Sequence, residues 1–412
     1  MQEKTILIIG LVWPEPTSSA AGTRMVQLLN VYLESQYKVI FASAAAKGEF
    51  SANLKSMGIQ EVPIKLNDDS FNDFVRDLQP DMIMYDRYMI EEQYGWRVKQ
   101  ECPDALTILD TEDLHCLRAS RQLAKKKSVE MEQADLYNDI AKREIAAILR
   151  TDISLIISEV ELAILVNQYG VNSTLLYYLP FLEKPLTPQE ARKWRRYEDR
   201  EGFMFIGNYL HEPNWHTLQI LKTEVWPTLR KRLPGVKMHI YGAYASQKVM
   251  QLQNKAEQFW VHGRADSANA MMSKHRILLA PIQFGAGVKG KFIDAMQSGT
   301  PAVTTSIGAE AMNGNLPWCG SICDDIPDFI EAAVGLYQDR DAWHQAQLNG
   351  LEILNQRYTK DLFAPAFLDH LTELKSSLSQ HRRKNFIGQI LQHHTVNSLK
   401  YMSLWIAEKN RH

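Results

Sequence analysis

Short apolar runs rich in β-branched residues recur along this chain, each followed by a longer stretch of helical periodicity. In the first half they occupy residues 5–10, 39–42, 82–85, 106–110, 153–158 and 175–178; in the second half, 203–207, 236–242, 259–261, 277–281, 302–305 and 321–323. Strands apolar on both faces, with helices between them, indicate parallel sheets covered on both sides. A proline-marked, charged stretch at 183–201, containing Arg192-Lys-Trp-Arg-Arg196, separates the two halves and reads as a linker. At about 150 residues per domain, 412 residues suit two substantial domains or three. The expected fold is therefore α/β, with two doubly wound Rossmann-like domains facing each other. Their bounds are placed at 1–182 and 202–365, followed by C-terminal helices at 366–412.

Composition narrows the class. A hydrophobic share of 45% and a charged share of 23% are those of a soluble globular chain. A net charge of −2 gives no general attraction to nucleic acid. Cys102, Cys116, Cys319 and Cys323 form neither a CxxC pair nor a cluster at metal spacing, which implies reduced thiols in a cytoplasm and no metal. The apolar run beginning at Thr5 could pass for a short leader, but Glu3, Gly10 and Pro14-Glu15-Pro16 fit a buried strand and turn better. No segment reaches the ~18 apolar residues that span a bilayer.

In doubly wound sheets ligands sit beyond the carboxyl ends of the strands. One such loop, residues 285–291, reads Gly-Ala-Gly-Val-Lys-Gly-Lys and stands between an apolar run and the start of a helix. Glycines admit close backbone approach, a first helical turn offers unpaired N–H groups, and Lys289 and Lys291 add positive charge. A phosphate or diphosphate fits that pattern; so does a mobile glycine turn with solvated lysines. The wider segment, from Pro281-Ile-Gln-Phe-Gly through Asp294-Ala-Met and Gly299-Thr-Pro-Ala-Val303 to Gly308-Ala-Glu310, closely resembles the donor-binding region of the GT-B glycosyltransferases of retaining family four, glycosyl transferases group one. Phe205-Ile-Gly-Asn-Tyr-Leu-His-Glu-Pro-Asn214 resembles that family's entry into its second domain. The likeness runs from Gly202 to near Tyr358.

More weakly, the first half follows. The loop from Pro14 to Arg24, with Ser19 and Gly22 where a helix would begin, resembles the one that passes the donor diphosphate. Asp110-Thr-Glu-Asp-Leu-His115 resembles the loop bringing a histidine and carboxylates to the transferred sugar, and Ser158-Glu159 resembles a strand-end pair. Without the family, His115 reads as a structural histidine and Asp113 as a helix cap. With it, the implied catalytic residues are His115, Lys289, Lys291 and Asp113. The implied donor-binding residues are Gly22, Gly263, Arg264, Gly285, Gly287, Val288, Gly290, Asp294 and Glu310. Two departures stand out. The family's spaced acidic pair keeps its second member as Asp294 but has Ala286 at the first position, and residues 208–214 lack the usual Arg and Lys. Glu310 could fill part of the vacancy, or be an exposed loop glutamate, and Asn214 could simply cap a helix.

The resemblance implies transfer of a sugar from a nucleotide-diphosphate sugar, UDP or GDP, to a glycan or lipid-linked hydroxyl. It also implies retention, no metal and no other cofactor, in glycan, polysaccharide or glycolipid synthesis. Phosphate charge would be met by the two lysines and the amides of Gly287 to Gly290. Other classes remain open: a catalytically silent binding protein, a phosphorylase, or a nucleotide-sugar epimerase. From Phe386 onward, Ile387, Ile390, Leu391, Leu399, Met402 and Ile406 fall at helical spacing beside Trp405, after the basic run His381-Arg-Arg-Lys384. Docking onto the body, or a peripheral contact with the inner face of a membrane, would use such a helix.

Overall fold

A computed structural model describes residues 4–129 and 136–393, together with 402, 403, 405, 406 and 409. Seven strands form the first sheet: β1 (Thr5–Gly10), β2 (Lys38–Ser43), β3 (Gln60–Pro63), β4 (Met82–Asp86), β5 (Leu106–Asp110), β6 (Ile153–Ile156) and β7 (Leu176–Tyr178). Six form the second: β8 (Phe203–Ile206), β9 (Met238–Tyr241), β10 (Phe259–Gly263), β11 (Ile277–Ala280), β12 (Ala302–Thr304) and β13 (Gly320–Ile322). The orders are β3-β2-β1-β4-β5-β6-β7 and β10-β9-β8-β11-β12-β13. Every pairing is parallel, from β1 with β2 in register Thr5 to Lys38 through β12 with β13. Both halves therefore share the Rossmann-like order, reversing direction between β1 and β4 and again between β8 and β11.

Residues of β1, β4, β5 and β6 are almost wholly buried because helices cover both faces of the sheet. Helix Ala20–Glu34 begins with Ser19 accepting the Gly22 amide at 3.0 Å, and lays Met25, Leu28, Leu29 and Tyr32 on one face. The apolar run at Thr5 is the central strand of this sheet. β3 was not foreseen: Gln60-Glu-Val-Pro63 lies at the sheet edge, half exposed, so its sequence carries no apolar run.

The stretch 183–201 is more ordered than a linker. Thr187 and Glu190 form a capping box on helix Pro188–Ala191, Trp194 donates to the Gln297 carbonyl at 2.9 Å, and the buried Arg200 donates to Thr300 Oγ1 at 2.7 Å and the Ser298 carbonyl at 2.8 Å. It is fastened to the second domain. After it, the chain returns to the first: Phe367, Leu371 and Leu374 of helix Lys360–Ser376, and Leu378 of helix Leu378–Lys384, enter the first domain's core. Full burial of each such side chain contributes about 1.5–3 kcal/mol. Helix Phe386–Gln392 continues the extension; Leu399 lies outside the described residues. All four cysteines are free thiols. Among the described residues no helix is long and apolar enough to cross a membrane.

Candidate functional site

Where strand order reverses, loops leave the sheet in opposite directions and a crevice remains. In the second domain that crevice lies between the loops after β8 and β11. The latter is the glycine loop, and its Lys289 is the N-cap of helix Gly290–Gln297. Gly287 has φ 65°, and a Cβ there would stand 2.9 Å from the Asp113 Cβ; one on Gly290 would stand 2.7 Å from the Ala20 Cβ. These glycines let the second domain's loop lie directly against the first domain.

The lysines are placed unusually. Lys289 Nζ donates to the Gly287 carbonyl at 2.8 Å, and Lys291 Nζ donates to Asn214 Oδ1 at 2.6 Å while sitting 4.6 Å from the centre of the Phe205 ring. An ammonium has three donors. Among the described residues each has one neutral oxygen as its hydrogen-bond partner and neither makes an ion pair. Burial pulls Lys289 down to about 8, and burial with repulsion from Lys289 pulls Lys291 down to about 7. In the same helix, burial and the nearby Glu183 push Asp294 up to about 7.

The first-domain wall is carboxylate-rich. Asp110, fully buried at the end of β5, pairs with Arg24 at 3.0 Å, and Arg24 also donates to the Leu179 and Pro180 carbonyls. At the ends of neighbouring strands, Arg87 (φ 72°) and Glu112 (φ 62°) hold the positive φ that non-glycine residues rarely adopt. Burial, with Asp110 beside it, holds the Glu112 carboxyl well above the usual range. Asp86 is raised by burial as well, and its Oδ1 has no partner.

His115 opens helix His115–Lys127. Its Nδ1 faces the Asp113 carbonyl at 3.2 Å, Glu144 Oε1 at 3.4 Å and Asp113 Oδ1 at 3.5 Å. Three acceptors around one nitrogen assign the neutral ring's proton to Nδ1 and leave Nε2 as an acceptor. Asp113 is not the helix cap: it pairs with Arg118, and the burial that would raise its pKa is outweighed by Arg118 and His115, so it lies below the usual range. The capping falls to Glu144, which accepts the His115 and Cys116 amides, both at 3.0 Å.

Two groups that sequence reading missed cross between domains. Glu161, fully buried, accepts the Leu114 amide at 3.0 Å and the Gly287 amide at 2.7 Å on one oxygen. Its other oxygen has no partner, and burial with Asp113 nearby pushes it up to about 8. The spacing of Ser158 and Glu161 is that of a capping box, which would have flagged the residue but not its destination. Only half the box forms, Ser158 accepting the Glu161 amide at 3.4 Å. Arg121 donates to both Glu310 oxygens, at 2.7 and 2.6 Å, and to the Gly285 carbonyl at 2.8 Å.

Several expected roles change accordingly. Glu310 is a paired, partly buried group and not an exposed loop residue; Arg121 brings it to the nitrogen that also holds Gly285. Ala286 packs against the first domain's apolar cluster. Val288 packs its side chain into the second domain's core, so any contact it makes with a donor would come through its backbone. The Gly22 amide donates to Ser19 and the Gly287 amide to Glu161, so neither N–H is free in this structure. Asn214 does not cap its helix; its side chain joins Lys291 to the Asn208 carbonyl. Arg264 reaches out of the second domain to Thr17 Oγ1 at 2.7 Å and stacks 4.1 Å from the Phe50 ring centre, with Tyr244 bonding Glu15 at 2.7 Å beside it. Gly263, at φ 74°, leaves open space where a Cβ would be.

Two facing parallel-sheet domains, with loops at the carboxyl ends of both sheets pressed together around a glycine turn, can be set beside known proteins. Residues 200–339 match the family Glycosyl transferases group 1. No curated protein matches the chain in sequence. Among solved structures, sucrose-phosphate synthase from Thermosynechococcus elongatus superposes with a TM-score of 0.69 at 13% identity, over 91% of this chain and all of that one. HepE of Anabaena, solved with UDP-glucose, gives 0.63 at 13% identity over 90% of this chain and 100% of its own. A glycosyltransferase from Rickettsia africae gives 0.63 at 10% identity over 91% and 99%. At these identities the likeness establishes the fold, which is that of the GT-B glycosyltransferases.

Proposed function

We propose that the protein transfers a glycosyl group from a nucleoside-diphosphate sugar to a hydroxyl of a glycan or lipid-linked acceptor, with retention and without a metal, at the cytoplasmic side of glycan, polysaccharide or glycolipid synthesis. One observation carries the reading: two partly buried lysines at a helix N-terminus whose ammonium groups make no ion pair, Lys289 feeling Glu310, Glu161 and Asp113 only from beyond salt-bridge distance. Burying unpaired cations is costly, and a diphosphate is the partner that would repay it. UDP and UDP-glucose in the HepE structures support the same ligand class.

In this reading the bond between the sugar carbon and the phosphate oxygen breaks, and negative charge collects on that oxygen. Lys289, Lys291 and the amides of Val288, Lys289 and Gly290 stabilise it more than they stabilise the intact donor. The acceptor oxygen bonds to the sugar carbon from the same face, and its proton passes to the departing phosphate. His115 Nε2 accepts a hydroxyl of the transferred sugar, with Asp113 and Glu144 fixing the ring. Asp294 receives the ribose hydroxyls, Gly263 and Arg264 border the base, and Glu310, steadied by Arg121, takes the place Ala286 leaves. Domain closure excludes water.

The test is turnover of labelled UDP- and GDP-sugars by purified protein, beside a thermal-shift screen of the nucleotides. Saturation at ~100 times the dissociation constant adds about 2.7 kcal/mol. Turnover is expected only with an acceptor, and Lys289→Ala should lower kcat by roughly 10²–10³. Binding without turnover indicates a silent binding protein, conversion without acceptor an epimerase; no shift with any nucleotide overturns the reading.

A further inference from the structure

Helix Phe386–Gln392 is fixed on one side and bare on the other. Beneath it, Asn385 donates to the Leu149 carbonyl at 2.8 Å and Gln392 to the Arg150 carbonyl at 2.6 Å. Gly388 lies so close that a Cβ would stand 2.1 Å from the Leu149 oxygen. Just before the helix, Arg382 grips Asp152 with two hydrogen bonds of 2.7 Å. This is a seated element, so what it shows to solvent is held there.

What it shows is apolar. Phe386, Ile387 and Ile390 are 66%, 60% and 54% exposed, and Met402, Trp405 and Ile406 beyond them are 57%, 63% and 45% exposed. Isolated exposed apolar residues need no explanation, but three large ones on one short seated helix, with three more exposed among the described residues that follow, do. Along the sequence the charge around them is mainly positive. Between Glu373 and Glu408 the sequence has no Asp or Glu and carries Lys375, Arg382, Arg383, Lys384 and Lys400, in a chain whose net charge is −2. Arg383 and Lys384 are exposed immediately before Phe386, and Lys409 stands 5.1 Å over the Trp405 ring.

We propose that this C-terminal face docks on an anionic lipid surface. Its apolar side chains enter the boundary between headgroups and acyl chains, Trp405 sits at the polar level, and Arg383, Lys384 and Lys409 meet lipid phosphates. Charge complementarity selects this occupant: an apolar face flanked by Arg383, Lys384 and Lys409, with Glu408 the one acidic residue after Glu373, suits a surface that is negative everywhere. Because the first domain carries the face, docking would hold the body of the protein against the bilayer. The inference stands apart from the proposed sugar transfer and uses none of its residues.

The experiment is co-sedimentation of the full chain with vesicles of phosphatidylcholine alone, or of equimolar phosphatidylcholine and phosphatidylglycerol. Binding to the mixed vesicles only is expected. Arg383→Gln with Lys384→Gln should weaken it about 30-fold, each cation at an anionic surface being worth roughly fivefold. Phe386→Ser, Ile387→Ser and Ile390→Ser together should abolish it, with an unchanged melting temperature showing that the fold survives. Failure to bind anionic vesicles overturns the proposal, as does equal binding to neutral ones. A dimer that the triple variant splits, without vesicle binding, would assign the face to a second copy of this chain instead.

Discussion

The two walls of the cleft treat charge in opposite ways. On the first-domain wall, Asp110 has Arg24, Asp113 has Arg118, and Glu144 and Glu161 each accept two backbone amides. On the second-domain wall, Lys289 and Lys291 have neutral oxygens alone. On one wall most carboxylates have a cation or backbone amides as partners, although one oxygen each of Asp86 and Glu161 has none; on the other the two ammonium groups make no ion pair, which suits an anion. Arg121 and Glu310, one from each wall, form an ion pair that joins them, and Arg357 with Glu159 forms another between the domains.

Removing cations should expose the contrast. Arg121→Ala would strand a partly buried Glu310 and free the Gly285 carbonyl, so stability should fall by about 3 kcal/mol. Lys291→Met, which removes a cation with no carboxylate partner, should leave stability within about 0.5 kcal/mol or raise it. Melting curves of the two variants measure the difference, and equal losses would erase the distinction between the walls.

A smaller effect concerns pH. Free Lys289 and Lys291 lie at about 8 and about 7, below the usual lysine value because burial disfavours the charged form. A bound diphosphate favours the charged form and raises both, so binding takes up protons. Loss of the Lys289 proton alone should therefore weaken nucleotide affinity by about tenfold from pH 7 to pH 9, and loss of the Lys291 proton should weaken it further, in a window above the phosphate pKa near 6. Calorimetry in buffers of different ionisation enthalpy would report the uptake directly; affinity that rises with pH would contradict it.

Much of the fold was legible because buried parallel strands are written as apolar runs. β3 was not, since an exposed edge strand lacks that signature. The glycine loop could be read because tight approach requires residues without side chains. Which amides remained free could not be read: the partner of Gly287 lies 126 residues away, at Glu161, and only folding brings them together. Arg121 and Glu310, 189 residues apart, are the same case, and either alone reads as an ordinary surface charge. Within the glycine loop itself, Val288 is a different case: its side chain joins the second domain's core, which the loop's sequence did not distinguish from a ligand-facing position.

The most direct test of the central claim is a structure of the protein with UDP bound. The account predicts the diphosphate at the N-terminus of helix Gly290–Gln297, with Lys289 and Lys291 Nζ each within hydrogen-bond distance, about 2.7–3.2 Å, of a phosphate oxygen. A nucleotide seated elsewhere, with Lys291 still on Asn214 and Lys289 still on its own loop, would contradict it.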